Sequence, residues 1–148
     1  MAAAQGRAVK ILDVNVLVHA HRRDAQHHAV CRQLLDRPAP AEEIGLTMPV
    51  VNGFLRVVTH PKLLQPPTPL AHALHTVAEW AARPNVHWIA PGEHHWRVFH
   101  DLCVRYQAAG GAFYDLHLAA LAIERDAELV SLDMGFARIA ELRWRSPA

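Results

Sequence analysis

Cysteine is scarce in this chain, with two residues, Cys31 and Cys103, among 148. They stand far apart within helical patterns and form no CxxC pair, which excludes a disulfide framework and a cysteine-based zinc or redox centre. Buried free thiols suit a reducing, cytoplasmic setting. Lysine is equally scarce, two residues against thirteen arginines, and the net charge is only +1. That balance excludes a protein that coats nucleic acid through bulk charge. No apolar run approaches the roughly 20 residues needed to span a bilayer. Residues 1–7 lack the apolar stretch of a secretory signal and read as a short lead-in to a first strand. A glycine-rich dinucleotide loop and a Walker motif are both missing, which disfavours NAD and ATP. No GxSxG supports a serine hydrolase. Repeats and low-complexity segments are absent as well.

Histidine is abundant, at twelve residues, yet the spacings do not assemble a zinc site. His27–His28 and His94–His95 are adjacent pairs, which point apart on a helix. His72 and His75 share a face but lack a third ligand, and there is no HExxH. Most are read as solvated or packed.

The chain is one domain over residues 1–148, and its 51% hydrophobic content suffices for a continuous core. Strand and helix patterns alternate, which argues for an α/β fold with a parallel sheet covered on both faces. Strands are expected at 8–12, 44–47, 86–89, 129–132 and 142–144. A helix over 14–21 follows the first strand, and Asp24 is placed to cap another over 25–35. Residues 38–41 read as a loop. Pro49 starts a helix to 58. Thr68 and Pro69 open one that reaches 82, with Leu70, Leu74, Val77 and Ala81 in one stripe. The helix over 93–107 is expected to turn Trp96, Phe99, Leu102 and Cys103 inward. After a loop at 108–112 comes a helix opened by Asp115, and a short helix is expected at 136–139.

Three aspartates hold corresponding places in this pattern. Asp13 closes the first strand, Asp115 opens a helix, and Asp133 follows the fourth strand. Singly they read as a helix cap, a first-turn acid and a turn residue. Together they read as carboxylates converging at the carboxyl ends of the strands, where their repulsion calls for a hard divalent cation, Mg²⁺ or Mn²⁺. Position alone leaves both readings open.

Four segments occur in order: ILDVNVL at 11–17, FLRVVTHP at 54–61, DLHLAALA at 115–122 and VSLDMGFAR at 130–138. As a set they resemble the PIN-domain ribonucleases of the VapC toxin family, in its mycobacterial-type branch, over nearly the whole chain. The resemblance implies a three-layer α/β/α fold with a central parallel sheet of four to five strands, a homodimer and a VapB-type antitoxin. It also implies Mg²⁺- or Mn²⁺-dependent cleavage of RNA of the tRNA or rRNA class. Carried over by position, Asp13, Asp115 and Asp133 are its catalytic and metal-binding acids, and Asn15 supports them without touching metal. Many members carry further acids where this chain has Gly53 and Gly135, so weaker metal affinity is expected.

Arg22, Arg23 and Arg138 are the candidates for gripping RNA near the crevice, and Arg56 faces either the cleft or a salt bridge. His117, two residues after Asp115, packs, supports the site or reaches phosphate. A competing reading from the two glycines is a catalytically weak PIN domain that binds RNA or antitoxin in a regulatory complex. A third is a PIN-type nuclease without a toxin role.

Overall fold

The computed structural model describes residues 8–37 and 42–148. The lead-in expected at 1–7 and the loop expected at 38–41 lie outside the described residues. Five strands, β1 (Ala8–Leu12), β2 (Glu42–Leu46), β3 (Val86–Trp88), β4 (Glu128–Val130) and β5 (Trp144–Arg145), form one parallel sheet in the order β3-β2-β1-β4-β5. Strand β1 is central, and Ile11, Leu12, Leu129 and Val130 are fully buried. Strands covered on both faces favour apolar runs, and the one charge inside β1, Lys10, is paired with Glu42 and Glu128.

The helices are α1 (Val14–His21), α2 (His28–Asp36), α3 (Met48–Val58), α4 (Leu70–Ala81), α5 (His95–Arg105) and α6 (Ala112–Glu124). Right-handed crossovers carry α1 to α4 over one face, as the chain steps from β1 to β2 to β3. The return from β3 to β4 places α5 and α6 on the other face. Contacts of α1 with α2 and α3, and of α5 with α6, match these layers. Helix α6 packs against α5 and β4 and is mostly apolar, with Leu116 and residues 118–122 buried. Asp13 and Asp133 follow the carboxyl ends of β1 and β4, where the direction of strand succession reverses. That is the switch point at which open α/β sheets form their crevice.

Several local expectations are corrected. Asp24 does not cap α2, which starts at His28 without a side-chain cap. The Asp24 carboxylate instead takes two bonds from the Arg22 guanidinium, each 3.2 Å. Thr68 does not cap α4 either; its hydroxyl bonds the His21 ring at 3.0 Å, and Pro69 takes the cap position. The stripe of α4 that packs inward is Ala73, Val77 and Trp80, whereas Leu70 is 66% exposed. On α5, Leu102 is buried but Trp96 is 70% exposed. The last strand is shifted to Trp144–Arg145, with Leu142 buried in the preceding turn.

The helical layer over β1 is anchored by Phe54, fully buried with its ring 5.1 Å from Trp80 and edge-on to His21. Phe54→Ala is expected to cost about 3–5 kcal/mol. Trp96→Ser on the open face of α5 should stay within about 0.5 kcal/mol of wild type. Urea melts of the two variants check both values, and a large loss at Trp96 would place that ring in the core.

Candidate active site

Asp13 turns the chain from β1 into α1. Its Oδ1 accepts the Val14 N–H at 2.7 Å, and its Oδ2 accepts the Ser131 hydroxyl at 2.7 Å. Ser131 is fully buried just past β4. Its oxygen also accepts the Asn15 amide at 3.2 Å and the Asp133 N–H at 3.0 Å. One donor and two acceptor positions are thus all used. Asn15 completes the junction by accepting the Leu132 N–H at 3.0 Å. Trp144 braces the same strand end, donating its indole N–H to the Ser131 carbonyl at 3.1 Å. Ser131 was missing from the sequence-based candidates, and its one signal is the position two residues before Asp133.

Asp133 accepts the Gly135 N–H at 2.8 Å and caps the 3-10 turn Met134–Arg138. Asp115 lies in the first turn of α6. Each aspartate therefore fills the local role that its sequence position suggests, and the three also act on one another. Burial pushes the Asp13 carboxyl above its ordinary range against the pull of its two hydrogen bonds, and the Asp133 charge adds to the rise. Asp115 is likewise raised, by burial first and then by Asp133 and Asp13, while Arg138 pulls it down. Tyr114, absent from the sequence-based candidates, is raised by burial and by the charges of Asp13 and Asp115. Carboxylates, phenol and Arg138 thus share one electrostatic site.

This donor set is all oxygen, which matches Mg²⁺ or Mn²⁺ rather than a softer ion. Among the described residues, however, no three His, Cys, Asp or Glu side chains stand close enough together to grip one ion. The side chains therefore fit a hydrated cation that keeps several waters, as Mg²⁺ does, rather than a closed carboxylate cage.

The other expected residues are dispersed. His117 faces α5, its Nδ1 3.2 Å from Nε2 of His95, and burial lowers both imidazoles. Two residues along a helix is about 200° of rotation, so Asp115 and His117 point opposite ways. Arg56 is exposed in the last turn of α3 without an ion pair among the described residues. Arg22 is committed to Asp24 and to the carbonyls of Gln65 and Pro66. Arg22 and Arg23 follow the end of α1, so they lie roughly 12 Å along the helix from Asp13.

The PIN domain family matches residues 10–142. VapC ribonuclease Mb2897 of Mycobacterium bovis is 44% identical over 137 residues, covering 92% of this chain and 93% of the relative. The chain is a PIN domain of the VapC family. Ribonuclease VapC33 of Mycobacterium tuberculosis is 37% identical over 138 residues, 93% of this chain and 96% of its own. Among solved structures, Mycobacterium tuberculosis VapC20, a toxin that cleaves the sarcin-ricin loop, shares the fold at TM-score 0.67 and 12% identity, over 90% of this chain and 98% of that one. VapBC2 from Rickettsia felis, bound to promoter DNA, aligns at TM-score 0.64 and 17% identity, over 93% and 98% of the two chains.

In this PIN domain the two glycines have packing reasons. A Cβ on Gly53 would lie 2.7 Å from Cγ2 of Val14, the residue after Asp13, so α3 approaches α1 through this position. A Cβ on Gly135 would come within 3.0 Å of Oδ1 of Asp133. An acid at either place needs its neighbour to move.

Two expectations follow. Gly53→Glu should lower stability by about 1–3 kcal/mol through overpacking, without improving metal affinity; a gain in Mg²⁺ binding by calorimetry would contradict this. For Asp115, a carboxyl raised in the folded state stabilises the fold below its unfolded value of 3.8 and loses that contribution as pH rises through the folded value. At neutral pH the charge is therefore a burden, despite its favourable place in the first turn of α6. Asp115→Asn should melt higher than wild type at neutral pH, with the difference closing below 3.8. Melting curves across pH test this, and equal curves at all pH would refute it.

Proposed function

We propose that this PIN domain is a divalent-metal-dependent endoribonuclease, the toxin of a type II toxin–antitoxin pair that cuts RNA and so inhibits translation. The carrying observation is that three carboxylates act on one another at the switch point of a sheet in a chain 44% identical to a VapC ribonuclease. Asp13, Asp115 and Asp133 would hold Mg²⁺ or Mn²⁺, with waters completing the shell. Bound there, the ion supplies Lewis acidity and charge neutralisation at the scissile phosphodiester.

The chain's own contribution is position and proton handling. Two hydrogen bonds fix the Asp13 carboxylate, so its remaining lone pairs have a set direction. Asp115 has no hydrogen-bond partner among the described residues and a raised carboxyl. It is the group free to take a proton from an attacking water. Arg138, whose charge acts on Asp115, would contact a phosphate oxygen.

The same family membership supports a VapB-type antitoxin, since several solved relatives of this fold are VapBC complexes. A homodimer and an RNA substrate of the tRNA or rRNA class complete the reading, as does a cytoplasmic location. No described helix is long and apolar enough to cross a membrane. A second reading, a catalytically weak domain that binds RNA or antitoxin, draws on the lack of three close ligand side chains among the described residues.

Cleavage of a panel of cellular RNAs with and without Mn²⁺ separates the two. Metal-dependent cutting by wild type is expected to vanish in Asp13→Asn. It should fall about 10–100-fold in Ser131→Ala, which removes the group that orients Asp13. Binding without cutting would select the second reading, and undiminished cutting by Asp13→Asn would end the first.

A further inference from the structure

An open cavity of about 500 Å³ lies away from the carboxylates, between the end of α1, α2, α4 and the proline-rich segment before α4. Four of the thirteen arginines line it: Arg22, Arg23, Arg32 and Arg83. Three of them, Arg22, Arg32 and Arg83, are held in place by hydrogen bonds and ion pairs. Asp36 bridges two of them, with Oδ2 2.5 Å from Arg32 Nε and Oδ1 2.9 Å from Arg83 Nη2. Arg22 is pinned by the Asp24 carboxylate and by the carbonyls of Gln65 and Pro66. These bonds leave both Nη groups of Arg32 without a partner among the described residues, and Arg23 has none at all. The single acid on the wall, Glu79, turns to His75 at 3.1 Å.

Such a wall is built for phosphate: planar guanidinium forks, oriented by acids behind them, with free N–H groups at the opening. The cavity also senses its own charge, since burial, His72, Arg22 and Arg32 together hold the His21 imidazole below its ordinary value. The carboxylate centre needs such help. It carries three acids, and Arg138 is the cation whose charge bears on Asp115 there. A polyanion gains little attraction at a site of that sign, and the net charge of +1 offers none in bulk.

We infer that this cavity binds the backbone phosphates of the RNA strand at a distance from the bond being cut. The inference rests on the ribonuclease reading for the identity of its ligand. The length of α1 sets the separation at roughly 12 Å, about three to four nucleotides of stacked strand at 3.4 Å each.

The test compares wild type with the double variant Arg23→Ala, Arg32→Gln. Arg23 is exposed and unpartnered, and Asp36 keeps Arg83, so the fold is retained; a matching melting curve verifies it. Binding of a long unstructured RNA and of a dinucleotide is measured by fluorescence anisotropy across salt concentrations. For the long RNA, loss of two phosphate contacts should reduce the slope of log K against log salt by about 1.4 and weaken binding about 25-fold at 0.1 M salt. The dinucleotide, too short to reach the cavity, should bind both proteins alike.

An unchanged salt slope, or an equal loss on the dinucleotide, would overturn the inference. So would a double variant that keeps its RNA affinity but loses the antitoxin, since the cavity then serves a protein partner. Inorganic phosphate, followed through the His21 and His72 ring resonances, supplies the last arm. Shifts with phosphate that RNA cannot displace assign the cavity to a free anion and also overturn the inference. Because the readout is binding, failure of cleavage in a parallel assay would count against the nuclease reading alone.

Discussion

The hydrogen bond from the buried Ser131 hydroxyl to Asp13, 2.7 Å long, is the contact on which the site depends. Strands β1 and β4 are adjacent because Leu12 pairs with Val130 and the Asp13 N–H reaches the Val130 carbonyl at 3.0 Å. That pairing would hold the two backbones together whatever followed. It would not orient the carboxylate, nor bring the turn after β4 back over the end of β1. The serine does both, because its oxygen also receives the Asp133 N–H and the Asn15 amide. A hydroxyl is the smallest group that can donate once and accept twice. A methyl in its place would leave buried polar groups unpaired at the moment the site most needs fixed geometry.

The partners gathered around Asp13 are all neutral, which decides the electrostatics. Hydrogen bonds to a carboxylate favour its charged form, yet burial still outweighs them and its carboxyl is raised. Among the described residues, no cationic side chain is bonded to it. A fold selected only for stability would have placed an arginine there or used an apolar residue. Leaving charge uncompensated is a local violation of what packing prefers, and such violations concentrate at working sites. The carboxylates are left without a cationic hydrogen-bond partner among the described residues, while four arginines line a separate cavity.

The sheet was legible because buried parallel strands read as short, mainly apolar runs, and residues 8–12 and 129–132 are such runs, each interrupted by one polar residue, Lys10 or Ser131. The aspartates were legible because capping and strand-end positions leave local signatures. Helix faces were less so. On α5 the packed face passes through His95, Phe99 and Leu102; at about 100° per residue Trp96 falls well round from it. On α4 the large Leu70 and Leu74 suggested the stripe, whereas small Ala73 lets the helix approach closely and bury Trp80. Side-chain size drew the eye to the wrong face in both cases. The Ser131 junction and the His95–His117 pair join residues 22 to 118 positions apart, a distance over which periodicity carries no information.

Gly53 shows how a residue that looks like a loss can be a requirement. Counted as a missing acid, it implies a weakened metal site. In the fold it lets α3 come close to α1, against the side chain of Val14. Val14 is the first residue of α1 and its N–H is the one that Asp13 caps. A larger residue at 53 would push on that first turn and so on the carboxylate it orients. An acid carried there would add a charge while disturbing the placement of the Asp13 carboxylate. The helix also forgoes about 1 kcal/mol of propensity by keeping glycine in its interior. Close packing behind Asp13 is the compensating gain that the structure offers for that cost, and it ties the orientation of the carboxylate to a helix that contributes none of the three aspartates.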